Sequence, residues 1–142
     1  MRAVALAQLA VDSLVDGALH EGVSARVVAK LKARCEDDAI RKVLEEIAAD
    51  EGRHAAHGWD VVAWCVATGG ATVASALRGA LDGLPEAMRS PLPQAAEGGA
   101  WERWGIHGNA LEAEEYASAL RDLRERVERM CGAAEGGGEA RA

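Results

Sequence analysis

The sequence predicts an all-α protein, a long antiparallel helical hairpin followed by a C-terminal helix. Apolar and small residues recur at intervals of three and four over long stretches without proline. Small alanines supply much of the 49% hydrophobic content, Phe is absent, and four Trp and one Tyr are the large aromatics, which suits closely packed helices better than sheets. At 142 residues with 27% charged side chains, the chain has the size and balance of one globular domain.

The first helix is read from Arg2 to Cys35, where Val4, Ala7, Val11, Leu14, Ala18, Ala25, Val28 and Leu31 form a stripe. Glu36-Asp37-Asp38 interrupts it, and an acidic residue before Ala39 is suited to cap a second helix. That helix carries Ile40, Leu44, Ile47, Glu51, His54, Gly58, Val61 and Cys65, the alternation of four and three that marks a bundle-facing seam, and Gly69-Gly70 is expected to end it. Residues 1–70 are thus expected to form the hairpin. Residues 71–109 are expected to hold a short helix over Ala71 to Leu81 and an irregular connection containing all three prolines. A third helix over 110–132 places Tyr116, Leu120, Leu123, Val127 and Met130 on one stripe, and the Gly/Glu-rich residues 133–142 are expected to be a disordered tail.

Composition excludes several functions. The formal net charge is −7, and neither part is basic: the first 70 residues hold 8 basic and 11 acidic side chains and the remainder 8 and 12. With no Lys/Arg cluster and few aromatics for stacking, nucleic-acid binding has no support. Cys35, Cys65 and Cys131 are far apart, form no CxxC pair and are odd in number, which fits a reduced compartment, the cytoplasm. The start has some signal-peptide flavour, but Gln8 and Asp12 interrupt it and the helical period runs on past it, so it is read as helix. No run approaches the ~18 apolar residues of a membrane span, and no membrane partner is expected.

Glu51 and His54 are the two consecutive seam positions that are not hydrophobic. Three residues apart, they share one face of a helix, and the pattern places them in the core. A buried carboxylate is costly unless a cation or hydrogen-bond donors neutralise it, and one metal ion would satisfy both side chains. On the first helix, Glu21 interrupts the stripe of Leu14, Ala18, Ala25 and Val28. If the chain turns near Glu36, Glu21 and the Glu51–His54 pair lie at the same depth, roughly 22 Å from the turn at 1.5 Å per residue.

A Glu on one helix facing Glu-x-x-His on its antiparallel neighbour is half the ligand set of di-iron and di-manganese carboxylate bundles. The segments VDGALHEG and IAADEGRHAAHGWDVVAW resemble the third and fourth helices of bacterial ferritin-like domains. The resemblance covers roughly residues 1–70 and implies that Glu21, Glu51 and His54 ligate metal, that two iron ions (or manganese) occupy a completed bundle, and that the chemistry is oxidation of ferrous iron or another oxygen- or peroxide-linked redox reaction. A full ferritin-like domain has two further helices with another Glu and another Glu-x-x-His, and no second such motif stands upstream here. A homodimer would supply four Glu and two His; a helical partner could instead complete the bundle. The alternative is a non-catalytic helical interaction module, or a truncated ferritin-like remnant with a vestigial site.

Bland readings remain beside these. Glu51 and His54 could form a hydrogen-bonded polar pair or a solvated face, and surface Glu such as Glu21 is commonplace. His20, His57, Asp50 and Asp16 are placed off the inward stripe, although Asp16 could hold a partner's imidazole. Trp59, Trp64, Trp101 and Trp104 are read as packing residues, Cys35 and Cys65 as small hydrophobes, and His107 in its Gly-rich turn is given no role.

Overall fold

A computed structural model describes residues 2–88 and 100–139, and it is all-α, with no strand among the described residues. Helix α1 (Arg2–Asp12) passes into a π-helical segment (Ser13–Glu21) and then into α2 (Gly22–Arg34). Asp12, Glu21 and Gly22 all keep right-handed helical dihedrals, so the three pieces form one rod, hereafter the first helix. Helix α3 spans Asp38–Gly83, a single 3₁₀ turn covers Glu102–Trp104, and α4 spans Asn109–Glu139.

The turn between α2 and α3 is fixed locally. Cys35 leaves the helical region (φ −71°, ψ 130°), and the Asp37 carboxylate accepts hydrogen bonds from the backbone N–H groups of Ala39 and Ile40, both at 2.9 Å. The cap satisfies two donors that the first turn of α3 would otherwise leave unpaired. At Gly70 (φ 54°, ψ −135°) α3 breaks direction, a conformation a residue with a Cβ would adopt only under strain. Beyond it Val73, Ala74, Leu77 and Leu81 bury one face of the short helix expected there.

The first helix and α3 touch backbone to backbone. A Cβ built on Gly58 would stand 2.7 Å from the backbone nitrogen of Ala18 and 2.9 Å from Cα of Gly17. On one flank of this crossing α4 closes the core, with Tyr116, Leu120, Leu123 and Val127 packed among Leu19, Val23, Val27, Val62 and Val66. Polar contacts tie the same helices at the rim. Arg26 pairs with Asp122 at 2.6 Å, Arg78 with Glu128 at 3.1 Å, and the Arg126 guanidinium sits 4.1 Å over the Trp59 ring.

Several expectations are corrected. Residues 133–139 continue α4 rather than starting a disordered tail, because Ala133, Ala134 and Glu135 favour helix and Ala134 still packs on the core. The last three residues of the expected tail, and residues 89–99 of the expected connection, lie outside the described residues. Trp64, Trp101 and Trp104 are each about half exposed instead of packed, Trp64 because α4 covers the Trp59 side of the hairpin. By length and composition α3 also contains a window apolar enough to cross a membrane, with mean hydropathy 1.4 and 33% of it buried within the chain. Ala, Val and Cys lift that average around isolated polar residues, where the sequence shows no unbroken apolar run.

The crossing yields a stability prediction. Gly58→Ala forces a methyl group against backbone that cannot rotate away, so it should destabilise the fold by about 1–3 kcal/mol, the usual cost of overpacking. Gly79→Ala, where an added Cβ meets nothing within 4 Å, should not destabilise it. Urea denaturation of both variants checks the contrast.

Candidate metal centre

Register follows from the glycine crossing. In an antiparallel pair, moving four residues toward the turn from Gly17 on one helix and four from Gly58 on the other brings Glu21 opposite His54, with Glu51 one turn further on. Glu21, Glu51 and His54 each offer a ligand atom, and the three atoms lie within 4.8 Å of one another. The His54 Nδ1 to Glu51 Oε2 separation is 3.9 Å. Thus the three residues expected from the sequence do meet.

The backbone that presents Glu21 is unusual. Glu21 is the last residue of the π-helical segment, whose i→i+5 bonding takes up one more residue per turn than an α-helix. The slip rotates the buried stripe: after Leu14 and Ala18 it runs through Leu19, Val23, Val27 and Leu31 rather than through Ala25 and Val28. Glu21 is thereby released from the stripe facing α4 and kept beside α3. Nothing in residue type announces this shift, and the sequence reading missed it.

Electrostatics at the cluster are those of two carboxyls forced together. The Glu51 carboxyl is pushed up from its ordinary range, first by a hydrogen bond to Glu21, then by burial, then by the Glu21 charge; His54 and a hydrogen bond from Ser24 act in the opposite direction. Glu51 Oε2 is shielded from solvent and has no hydrogen-bond partner among the described residues. A cation there would offset the crowding of the two carboxyls and give that oxygen a partner. Two carboxylates and an imidazole suit iron, manganese or zinc, so the donor set fits the metals that the sequence resemblance implies.

The position differs from expectation in one respect. Sequence placed the pair in the core, yet the His54 side chain is 64% exposed and that of Glu51 24%. The cluster borders a groove of about 600 Å³ walled by the first helix and α3, with Leu9, Asp16, Glu21, His54, His57 and Val61 among its lining. The physical reason is that α4 packs on the other flank, and two helices alone cannot enclose a side chain between them. His57 and Asp16, read as pointing elsewhere, thus reach the same groove, whereas Asp50 pairs with Arg53 in solvent. Along the hairpin the exposed apolar residues Leu9, Val43 and Ile47 stand to either side of the cluster in sequence.

The raised Glu51 carboxyl has a stability consequence with a definite sign. A carboxyl whose folded pKa exceeds its unfolded value binds more protons in the folded state, so stability falls as pH rises out of the ordinary carboxylate range. Without added metal, Glu51→Gln should therefore raise the melting temperature at neutral pH, and the gain should vanish as pH drops below that range. Thermal melts in chelator across pH measure this. Comparison with known proteins adds no relative to this geometry: no family model, no curated protein and no solved structure matches the chain.

Proposed function

We propose that this chain is a ferritin-like metal-binding protein whose hairpin is half of a four-helix bundle, and that a second copy completes a carboxylate-bridged two-metal site. The observation that carries the reading is the convergence of Glu21, Glu51 and His54 within 4.8 Å beside a groove that α4 leaves open. Two copies facing each other across this groove supply four Glu and two His, a set that two divalent ions can share. The exposed Leu9, Val43 and Ile47 give the same contact an apolar component. Cys35 and Cys65, buried as thiols, accord with a reduced compartment such as the cytoplasm.

Each residue has a distinct task in this reading. Glu21 and Glu51 provide hard oxygen donors, one of them able to bridge, and their negative charge favours the higher oxidation state of iron. A metal held by Glu51 would compete with protons for its raised carboxyl, so uptake would weaken in acid. His54 supplies an imidazole, and the glycine crossing holds the two walls at fixed separation. Iron bound there would supply oxidoreductase chemistry with oxygen or peroxide, with iron the expected metal and manganese the alternative. The 64% exposure of His54 favours a second reading, a helical interaction module with a vestigial site, in which the open face docks a partner helix.

Two measurements separate these. Elemental analysis and light scattering should find a homodimer of twice 14.9 kDa holding two metal ions. Glu51→Ala and His54→Ala should each abolish stoichiometric binding while circular dichroism stays helical, and Glu21→Ala should do the same. Metal content unchanged in these variants sinks the ligand assignment, and a metal-free wild type supports the interaction module. Ferrous iron loaded anaerobically and then exposed to oxygen should oxidise faster with protein than in buffer alone; equal rates would remove the enzymatic part.

A further inference from the structure

On the side of α3 turned away from α4, Val43, Asp50, His57 and Trp64 recur every seventh residue and so share one stripe of the helix surface. Val43 and Trp64 are each 56% exposed, the Asp50 side chain is 60% exposed, and His57 is exposed as well. Trp59, whose ring meets Arg126 of α4, lies about 140° round the helix from Trp64 at 3.6 residues per turn. The order of the four is mirror-complementary. Laid antiparallel on a second copy of itself, the stripe sets Val43 against Trp64 and Asp50 against His57, and twofold symmetry makes each pair twice. Apolar meets apolar at both ends, and acid meets imidazole between them. A parallel pairing would instead stack Asp50 on Asp50, which like charges oppose.

We propose that α3 pairs antiparallel with α3 of a second copy along Val43, Asp50, His57 and Trp64, with Trp64 as the anchor and the twofold axis at the level of His54. This rests on the reading that a second copy completes the bundle, and it supplies the register of that contact. The midpoint of the stripe falls between Arg53 and His54. None of the three candidate metal ligands belongs to the stripe, yet its midpoint is the level at which Glu21 and His54 meet, where a site shared between two copies has to be centred. Ile47, 39% exposed, and the half-buried Val61 flank the stripe, and the same register brings them opposite each other to within one residue. Asp50 Oδ1 already accepts from Arg53, which leaves its second oxygen for the imidazole N–H of His57. Trp64 offers a large ring with a rigid shape, the kind of side chain on which binding energy concentrates.

Light scattering over a concentration series, in chelator and again with Mn²⁺, tests the contact with and without metal. The dimer, whether formed in chelator or only with Mn²⁺, should weaken by about 30-fold or more in Trp64→Ala, the loss expected for an aromatic anchor, while circular dichroism stays helical. Asp50→Lys and His57→Asp should each weaken it too. The double exchange Asp50→Lys/His57→Asp should restore it, a recovery that a role confined to one chain's fold would not produce. A dimer that holds metal but is indifferent to Trp64→Ala and shows no recovery in the double exchange overturns this register and leaves the two-metal reading standing. A dimer with the expected dependence that holds no metal sustains the register and sinks the metal reading alone. A chain monomeric in both conditions leaves this face to another occupant and overturns both.

Discussion

Contact between the backbones of Gly17 and Gly58 is the constraint from which the rest of the hairpin follows. A Cβ on either glycine would meet the other's backbone at 2.9 Å, so no larger residue fits without parting the helices. Because the crossing is antiparallel, it fixes which residues face each other along the whole pair. Four residues toward the turn it sets Glu21 against His54, and close to that level a Cβ built on Gly22 would stand only 4.0 Å from the Cβ of Ala55. Parting the helices there would separate the carboxylates even if neither were changed.

Such a close crossing creates two flanks, and the chain treats them differently. The π-helical slip in the first helix turns Leu19, Val23 and Val27 toward one flank, where they join Val62 and Val66. This strip is what the apolar stripe of α4 buries, with Arg26–Asp122 and Arg126–Trp59 contacts at its edge. On the other flank stand Glu21, Glu51 and His54, with Asp16 and His57 nearby. Covering them with the leucines of α4 would strand a carboxyl oxygen that already lacks a partner. Segregating apolar packing from ligand-bearing surface resolves that conflict.

Local chemistry made much of this legible in the sequence. The absence of proline from Arg2 to Cys35, the acidic break at 36–38 and the seam of α3 specify two long helices and their turn, and matched distances from that turn bring Glu21 level with Glu51 and His54. Helical periodicity also finds the stripe of α4, because Tyr116, Leu120, Leu123 and Val127 repeat without interruption and all are buried.

Tertiary structure alone decided which flank α4 would cover and therefore that the cluster would lie at a groove rather than in the core. Periodicity assumes a constant number of residues per turn, so a π-helical segment shifts every later position while leaving the residue types unremarkable. It likewise states which residues share a face but not which neighbour that face meets, and His20 on the first helix and His107 and Glu112 at the start of α4 become lining of one pocket only when α4 docks. The sequence by itself determined the helices, the turn and the level of the three donors, because those depend on interactions within a few residues of each other. Burial, flank and pocket were left to packing, because they depend on contacts between segments far apart in the chain, such as Arg26 with Asp122, 96 residues on.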